Sequence, residues 1–200
     1  MVVSCLTAAF AQSSDDYNKN EYYVGYSNNQ VDEGVHRGLN GFEGSYTRNV
    51  SRYFGIRVGI SHAFKNNEVS GQAADPVAGT YNFTQDYKRS VTNFLAGVQV
   101  KDNSTEARFK PFGYAMAGVA NNRSSYSNFN CTSGNCPSNS PNLFTFRSND
   151  TGFAAALGGG LDIKLSRRFD LRAIQVDYNP IYSNSRMDNN FRIGVGIVIH

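Results

Sequence analysis

A period of two that recurs along the whole chain constrains the fold more than any other feature. In the last segment, "NNFRIGVGIVIH", Phe191, Ile193, Val195, Ile197 and Ile199 form an unbroken apolar row, and Arg192, Gly194, Gly196, Val198 and His200 lie between them. Side chains alternate across a β-strand, so one face is wholly apolar and the other mixes charge with glycine. In a soluble sandwich the apolar row would look inward and the other face would meet water, where glycine is a poor strand residue. The inverted geometry explains both faces: the apolar row meets lipid, and glycine and charge meet a narrow, crowded interior.

Seven further segments carry the same alternation. "EYYVGYS" sets Tyr22, Val24 and Tyr26 against Gly25 and Ser27; "GFEGSYT" sets Phe42, Gly44 and Tyr46 against Gly41, Glu43, Ser45 and Thr47. "YFGIRVGIS" sets Phe54, Ile56, Val58 and Ile60 against Gly55, Arg57, Gly59 and Ser61, and "TNFLAGVQV" sets Phe94, Ala96, Val98 and Val100 against Asn93, Leu95, Gly97 and Gln99. "PFGYAMAGV" places Phe112, Tyr114 and Met116 opposite Gly113, Ala115 and Ala117, with the small residues assigned to the interior. "GFAAALGGGLDIKL" places Phe153, Leu157, Leu161 and Ile163 opposite Ala154, Ala156, Gly158, Gly160 and Asp162. In the seventh, "FDLRAIQVDY", Gln175 and Asp177 share a phase that Arg172 breaks. Either Arg172 faces outward at the membrane edge and snorkels, or a bulge near Ala173–Ile174 shifts the phase.

The connections run over 28–38, 48–52, 63–91, 101–110, 121–150, 165–168 and 179–189, alternating long and short. An up-and-down barrel with short periplasmic turns and long extracellular loops predicts that alternation; a Greek-key sandwich does not. The expected fold is therefore all-β: an eight-stranded antiparallel up-and-down transmembrane β-barrel with long extracellular loops and short periplasmic turns. So narrow a barrel is filled by its own side chains. Glu43, Arg57, Asp162, Asp177 and Arg192 are expected to form a structural polar network in the lumen, paired because enclosed charge must be paired or hydrated. Tyr22, Tyr23, Phe42, Tyr46, Tyr53, Phe54, Phe112, Phe169, Tyr178 and Phe191 sit near strand ends, where aromatic girdles belong.

Mean hydropathy is −0.44, and no apolar run reaches the roughly 18 residues of a membrane helix. The net charge of +3 comes from scattered basic residues, so no nucleic-acid partner is expected. Residues 1–11, "MVVSCLTAAFA", end in an A-x-A box and read as the remnant of a secretory signal peptide lacking its basic start; the barrel domain is then 12–200. A lipoprotein box at Cys5 is the rival, but apolar residues rather than a polar tether follow it. Export leaves Cys131 and Cys136 in "CTSGNCPSNSP", an even pair around a turn that reads as a loop disulfide. Two Cys without nearby His or acid ligands fall short of a metal site.

The pattern resembles the small outer-membrane β-barrel proteins of the OmpA-like transmembrane superfamily. The resemblance covers the whole mature chain and is most specific in "FGIRVGIS", "KPFGYAMAGVA", "FAAALGGGLDIKLSRRFDLRAIQVDY" and "NFRIGVGIVIH". It implies a monomer in the bacterial outer membrane, in contact with outer-membrane lipid and lipopolysaccharide. It also implies insertion by the outer-membrane assembly machinery, which recognises a last strand ending in an aromatic residue. This chain stops at His200; a Phe one position on would continue the outward row, so we read the end as short by a residue or so.

Three functional classes follow. Some small barrels of this kind resemble enzymes acting on lipid A. Here His36, His62 and His200 stand without a G-x-S-x-G elbow, so no catalytic, metal or cofactor residue is assigned and no enzyme is expected. A gated pore would need the lumen charges to rearrange; a static plug is the simpler expectation. The third class is a structural or cell-surface interaction role, with a surface ligand bound through loops 63–91 and 121–150, which are rich in Asn, Ser, Thr, Gly and Tyr. A secreted lipocalin-like barrel would need an apolar cavity, which the glycine-and-charge inner face does not leave.

Overall fold

A computed structural model describes residues 17–31, 38–75, 79–134 and 145–200. Eight strands, β1 (Asn20–Gln30), β2 (Gly38–Asn49), β3 (Phe54–Asp75), β4 (Gly79–Lys101), β5 (Phe109–Gly134), β6 (Phe146–Lys164), β7 (Phe169–Ser183) and β8 (Arg186–Ile199), form one closed barrel in sequence order. Every neighbour is antiparallel, and β8 closes on β1 from Tyr22↔Ile199 to Gln30↔Phe191. No helix occurs among the described residues.

The barrel is apolar outside and polar within. Ile193, Val195 and Ile197 are 48%, 46% and 38% exposed, alongside Val24, Ile56, Phe94 and Leu157. Among the described residues, buried polar and charged side chains outnumber buried apolar ones. This is the reverse of a soluble domain, and it suits a wall whose solvent is hydrocarbon.

Glycines opposite the lipid rows make room for the large inward groups. A Cβ on Gly194 would stand 2.7 Å from the Glu43 carboxylate oxygen Oε1, and one on Gly196 would stand 2.7 Å from the Tyr23 ring. In a close-packed lumen neither atom fits without displacing an ion pair or a ring.

Two expectations are corrected, and one open alternative is decided. First, β5 runs in the opposite phase: Phe112, Tyr114 and Met116 are buried in the lumen, while Ala115 and Ala117 face out and Gly113 is half-buried. Lys110 shares their phase and is 1% exposed; an ammonium belongs with a carboxylate inside rather than in lipid, and it carries the aromatic row with it. Tyr23 is likewise buried inside, so neither it nor Phe112 belongs to a girdle. Second, the register of β7 slips between Arg172 and Gln175 against β8 and opposite Leu161/Asp162 against β6. The bulge, not snorkelling, accounts for Arg172, which is fully buried.

Third, segments 63–91 and 121–150 are mostly strand rather than loop. β3 and β4 stay paired to Asp75↔Gly79, β4 and β5 to Tyr81↔Gly134, and β5 and β6 to Tyr126↔Phe146. The segment 179–189 folds as a two-residue turn at Asn184–Ser185, with φ of 47° and 62°, the left-handed pair that tight hairpins require. Beyond the bilayer the ladder needs no apolar face. Polar rungs such as Asn121–Asn149 at 2.8 Å and Asn82–Ser133 at 2.8 Å extend it instead. Strands β3–β6 therefore reach 19–26 residues, where about nine to eleven suffice to cross a membrane.

At the opposite end the turns are tight and locally encoded. In "VSRYF" the Ser51 hydroxyl accepts from the amides of Tyr53 and Phe54 at 3.3 and 3.2 Å. In "LSRRF" Ser166 does the same for Arg168 and Phe169 at 3.2 and 3.1 Å.

Candidate functional site

The lumen is where the chain concentrates its chemistry. β7 carries the centre of it. Arg172 donates to both oxygens of Asp162 on β6, at 2.8 Å and 3.0 Å, the bidentate geometry that suits a guanidinium. It also reaches Glu21 at 3.3 Å and the Gln175 side-chain oxygen at 2.9 Å. Its guanidinium lies between two rings, 4.2 Å from the Tyr23 centroid and 4.0 Å from that of Phe112. Lys101 from β4 bridges the same two acids, Glu21 and Asp162, the latter at 3.1 Å.

A second cluster stands further along the axis. Arg192 of β8 meets Asp177 at 3.1 Å and Glu43 at 3.4 Å, and donates to Ser61 at 2.7 Å. Tyr23 donates to Glu43 at 2.8 Å and Tyr114 to Asp177 at 2.6 Å. Gln175 joins the clusters: its amide donates to Glu43 at 2.9 Å, and its oxygen accepts from Arg172 and from Arg57, the latter at 3.3 Å. Arg57 also donates to Gln99 at 3.1 Å and lies 4.4 Å from the Tyr114 ring centroid. At the short-turn rim, Asp170 accepts from Lys110 at 2.9 Å and lies 2.8 Å from the His200 ring.

The five residues read from sequence all face this interior, divided between the clusters: Asp162 in the first, Glu43, Asp177 and Arg192 in the second, Arg57 between. Sequence reasoning missed Glu21, Lys101, Lys110, Asp170 and the hydroxyls of Tyr23 and Tyr114. Extending the inward phase two residues past each apolar segment would have found Lys101 from Gln99 and Glu21 from Tyr23. The ionic layers thus hold Glu21, Glu43, Asp162, Asp170 and Asp177 against Arg57, Lys101, Lys110, Arg172 and Arg192, five of either sign, and a further buried cation, Arg89, lies higher on β4 toward the hairpins.

Past the ionic layers, toward the long hairpins, the inward rows mix apolar side chains, Leu39, Ala63, Val91, Leu95, Ala154 and Ile181, with the buried amides of Asn29, Asn93, Asn179 and Asn190. A void of about 20 Å³ beside Arg57, Asn93 and Arg192 has room for about one water. His62 stands on the outer wall between the rings of Phe42 and Phe64, 5.8 Å from each, and contacts Thr92 Oγ1 at 2.8 Å. His36, Cys136 and the segment 1–11 lie outside the described residues; Cys131 lies near the end of β5. No group of three His, Cys, Asp or Glu side chains fit to hold a metal occurs among the described residues.

A closed eight-stranded ring with a lipid-facing apolar wall and an ion-paired lumen defines an integral membrane β-barrel. The chain belongs to the outer membrane protein beta-barrel domain family, whose model matches residues 1–198, and this places it in the bacterial outer membrane. No curated protein matches it. Among solved structures it is similar to Ail, the attachment invasion locus protein of Yersinia pestis, at 14% identity and a TM-score of 0.53, covering 90% of this chain and 97% of that one. It is also similar to Neisserial surface protein A, at 13% identity and a TM-score of 0.54, covering 91% and 97%. A further structure holds Ail in complex with the heparin analogue sucrose octasulfate, at 14% identity and a TM-score of 0.52, covering 90% and 97%. At these identities the likeness is one of fold.

Proposed function

We propose that this barrel is a plugged scaffold that presents its long hairpins for interaction at the cell surface. The observation that carries the reading is the length of β3–β6. Each continues well past the membrane span as paired strand, building an ordered four-stranded wall instead of loose loops. Such a wall holds polar side chains in fixed rows, and pre-ordering lowers the entropy cost of binding. The lumen supports the scaffold role: the charges of its ionic layers are matched in sign and hydrogen-bonded across strands, with buried apolar and amide side chains packed above them, which favours a static plug over a conducting path. The complex of Ail with a heparin analogue supports a polyanionic saccharide as the class of ligand to try first. Exported through a cleaved signal peptide and pinned at a hairpin tip by a Cys131–Cys136 disulfide, the chain would meet that ligand outside the cell.

The test is adhesion. Cells producing the full chain should bind immobilised heparin, and cells producing a chain with residues 66–88 and 125–147 each replaced by a short turn should not. Equal binding by both, with both barrels folded, would remove the interaction role.

A further inference from the structure

The outer wall of β3–β6 carries a basic patch that the plug and the hairpin tips leave unused. Register fixes its height. The last wholly apolar outward row is Ile60, Phe94, Val119 and Phe153, paired in line across the four strands and 48–58% exposed. The next row, beginning at His62, is polar. Arg123 stands in the row after that, paired with Ser90 and with Asn149, from which its Nε hydrogen bond is accepted at 3.2 Å. One row further, Lys88, Ser125 and Arg147 pair in line. The even positions of β4 and odd positions of β5 and β6 point outward here, continuing the phase of Phe94, Val119 and Phe153. Lys88, Arg123 and Arg147 therefore project sideways from the barrel.

Strand spacings set the triangle they make. Lys88 and Arg147 flank β5 two strands apart, about 10 Å, and Arg123 lies about 8 Å from each on the strand between. A groove of about 550 Å³ runs through them, lined otherwise by Phe64, Asn66, Arg89, Asn149 and serines. The acids that continue this face, Glu68 and Asp86, stand opposite each other one row beyond Lys88, and Asp86 accepts a hydrogen bond from Asn128 at 2.7 Å.

We infer that this patch binds the phosphates of the anionic glycolipid surrounding the barrel, the lipopolysaccharide of the outer leaflet. Four to six residues beyond the last apolar row is about 10–15 Å of height for strands tilted at 35–45°. That height, less the downward reach of long basic side chains, falls in the headgroup layer just outside the hydrocarbon. Three cations within about 10 Å of one another match closely spaced phosphates. Guanidinium forks suit phosphate oxygens in particular, and Phe64, in the row of Arg123, offers an apolar contact beside them. A lateral face at this height meets lipid before any soluble partner. The inference rests on the outer-membrane placement of the chain and adds a lateral lipid partner to the surface-binding reading.

Full chain in phosphatidylcholine nanodiscs, checked for folding by heat-modifiability on a gel, would be titrated with labelled bisphosphorylated lipid A, with dephosphorylated lipid A and with soluble heparin. The comparison set is wild type, K88Q/R123Q/R147Q and K88R/R123K/R147K. We expect the glutamine variant to lose about 100-fold in affinity for the phosphorylated lipid, as three cations at an anionic surface supply. The charge-preserving variant should retain most of it, and dephosphorylated lipid should not distinguish the three proteins. Unchanged binding of phosphorylated lipid by the glutamine variant would overturn the inference and leave the surface-binding reading standing. A loss confined to heparin would overturn it too, assigning the patch to a soluble polyanion.

Discussion

Replacing Arg172 with Met tests the interior and the bulge together, because the two orientations of this residue predict opposite signs. Met keeps much of the stem volume and removes only the charged fork. In the lumen that fork makes two hydrogen bonds to Asp162, one to Glu21 and one to Gln175, and is sandwiched by Tyr23 and Phe112. Removing one partner of a buried pair costs about 3–5 kcal/mol, because the remaining charge is left uncompensated. Lys101 still bridges Glu21 and Asp162, so the lower end applies: about 3 kcal/mol, or about 150-fold in the folding equilibrium. An Arg facing lipid costs about 2–4 kcal/mol near the midplane, and its replacement would stabilise the barrel. The chain has no Trp, so urea unfolding in vesicles would be followed by far-ultraviolet circular dichroism and by gel mobility. The double variant D162N/R172M should lose less than the sum of its two single variants, with a coupling of about 1–3 kcal/mol. A neutral or stabilising R172M would refute the reasoning.

Further outcomes follow from the same geometry. Val195→Arg, on the outward face, should destabilise the folded barrel by about 2–4 kcal/mol in the same unfolding assay, whereas a soluble barrel would tolerate it. Gly196→Val should cost at least about 1–3 kcal/mol by overpacking against the Val24 and Gly25 backbone and the Tyr23 ring, measured the same way. Purified barrel in planar bilayers should give no sustained single-channel steps, since paired charges and buried side chains fill the lumen; steady conductance would displace the plug reading. At the short-turn end, the hydrogen bond from Arg52 holds the Asp102 carboxyl below its ordinary value of 3.8. Its contribution, an exposed pair's at less than about 1 kcal/mol, is full above about pH 4 and is lost as the pH falls through the lowered value. Arg52→Ala should therefore lower stability slightly at neutral pH, and by progressively less as the pH falls through the lowered value. Non-reduced peptide mapping should recover Cys131 joined to Cys136.

Much of the site was legible because charge and glycine share a phase. Glu43, Arg57, Asp162, Asp177 and Arg192 each fall opposite an apolar row, and no lipid-facing position would accept them. What was not legible depended on partners from distant strands. β5 offers one face of Phe, Tyr and Met and another of Gly and Ala, and size alone assigns the large face to lipid. Only Asp170, brought beside Lys110 by the closure of the ring, shows why the large face turns inward. Arg172 had two admissible directions until the bulge opposite Asp162 settled one. The polar stretches of β3–β6 have loop composition, and their strand character comes from the neighbouring strand's backbone, which no local pattern encodes.

The alternation of apolar residues with glycine and charge, repeated eight times, was enough by itself to determine a barrel that faces hydrocarbon. A lone strand already carries that preference, because its two faces partition between two solvents. Which acids meet which bases was decided only when the strands closed into a ring, and how far the hairpins rise and where basic side chains gather on the outer wall only when neighbouring strands paired. The farthest-reaching of those contacts, such as Arg172 with Glu21 at opposite ends of the sequence, have energies that exist only in the assembled ring.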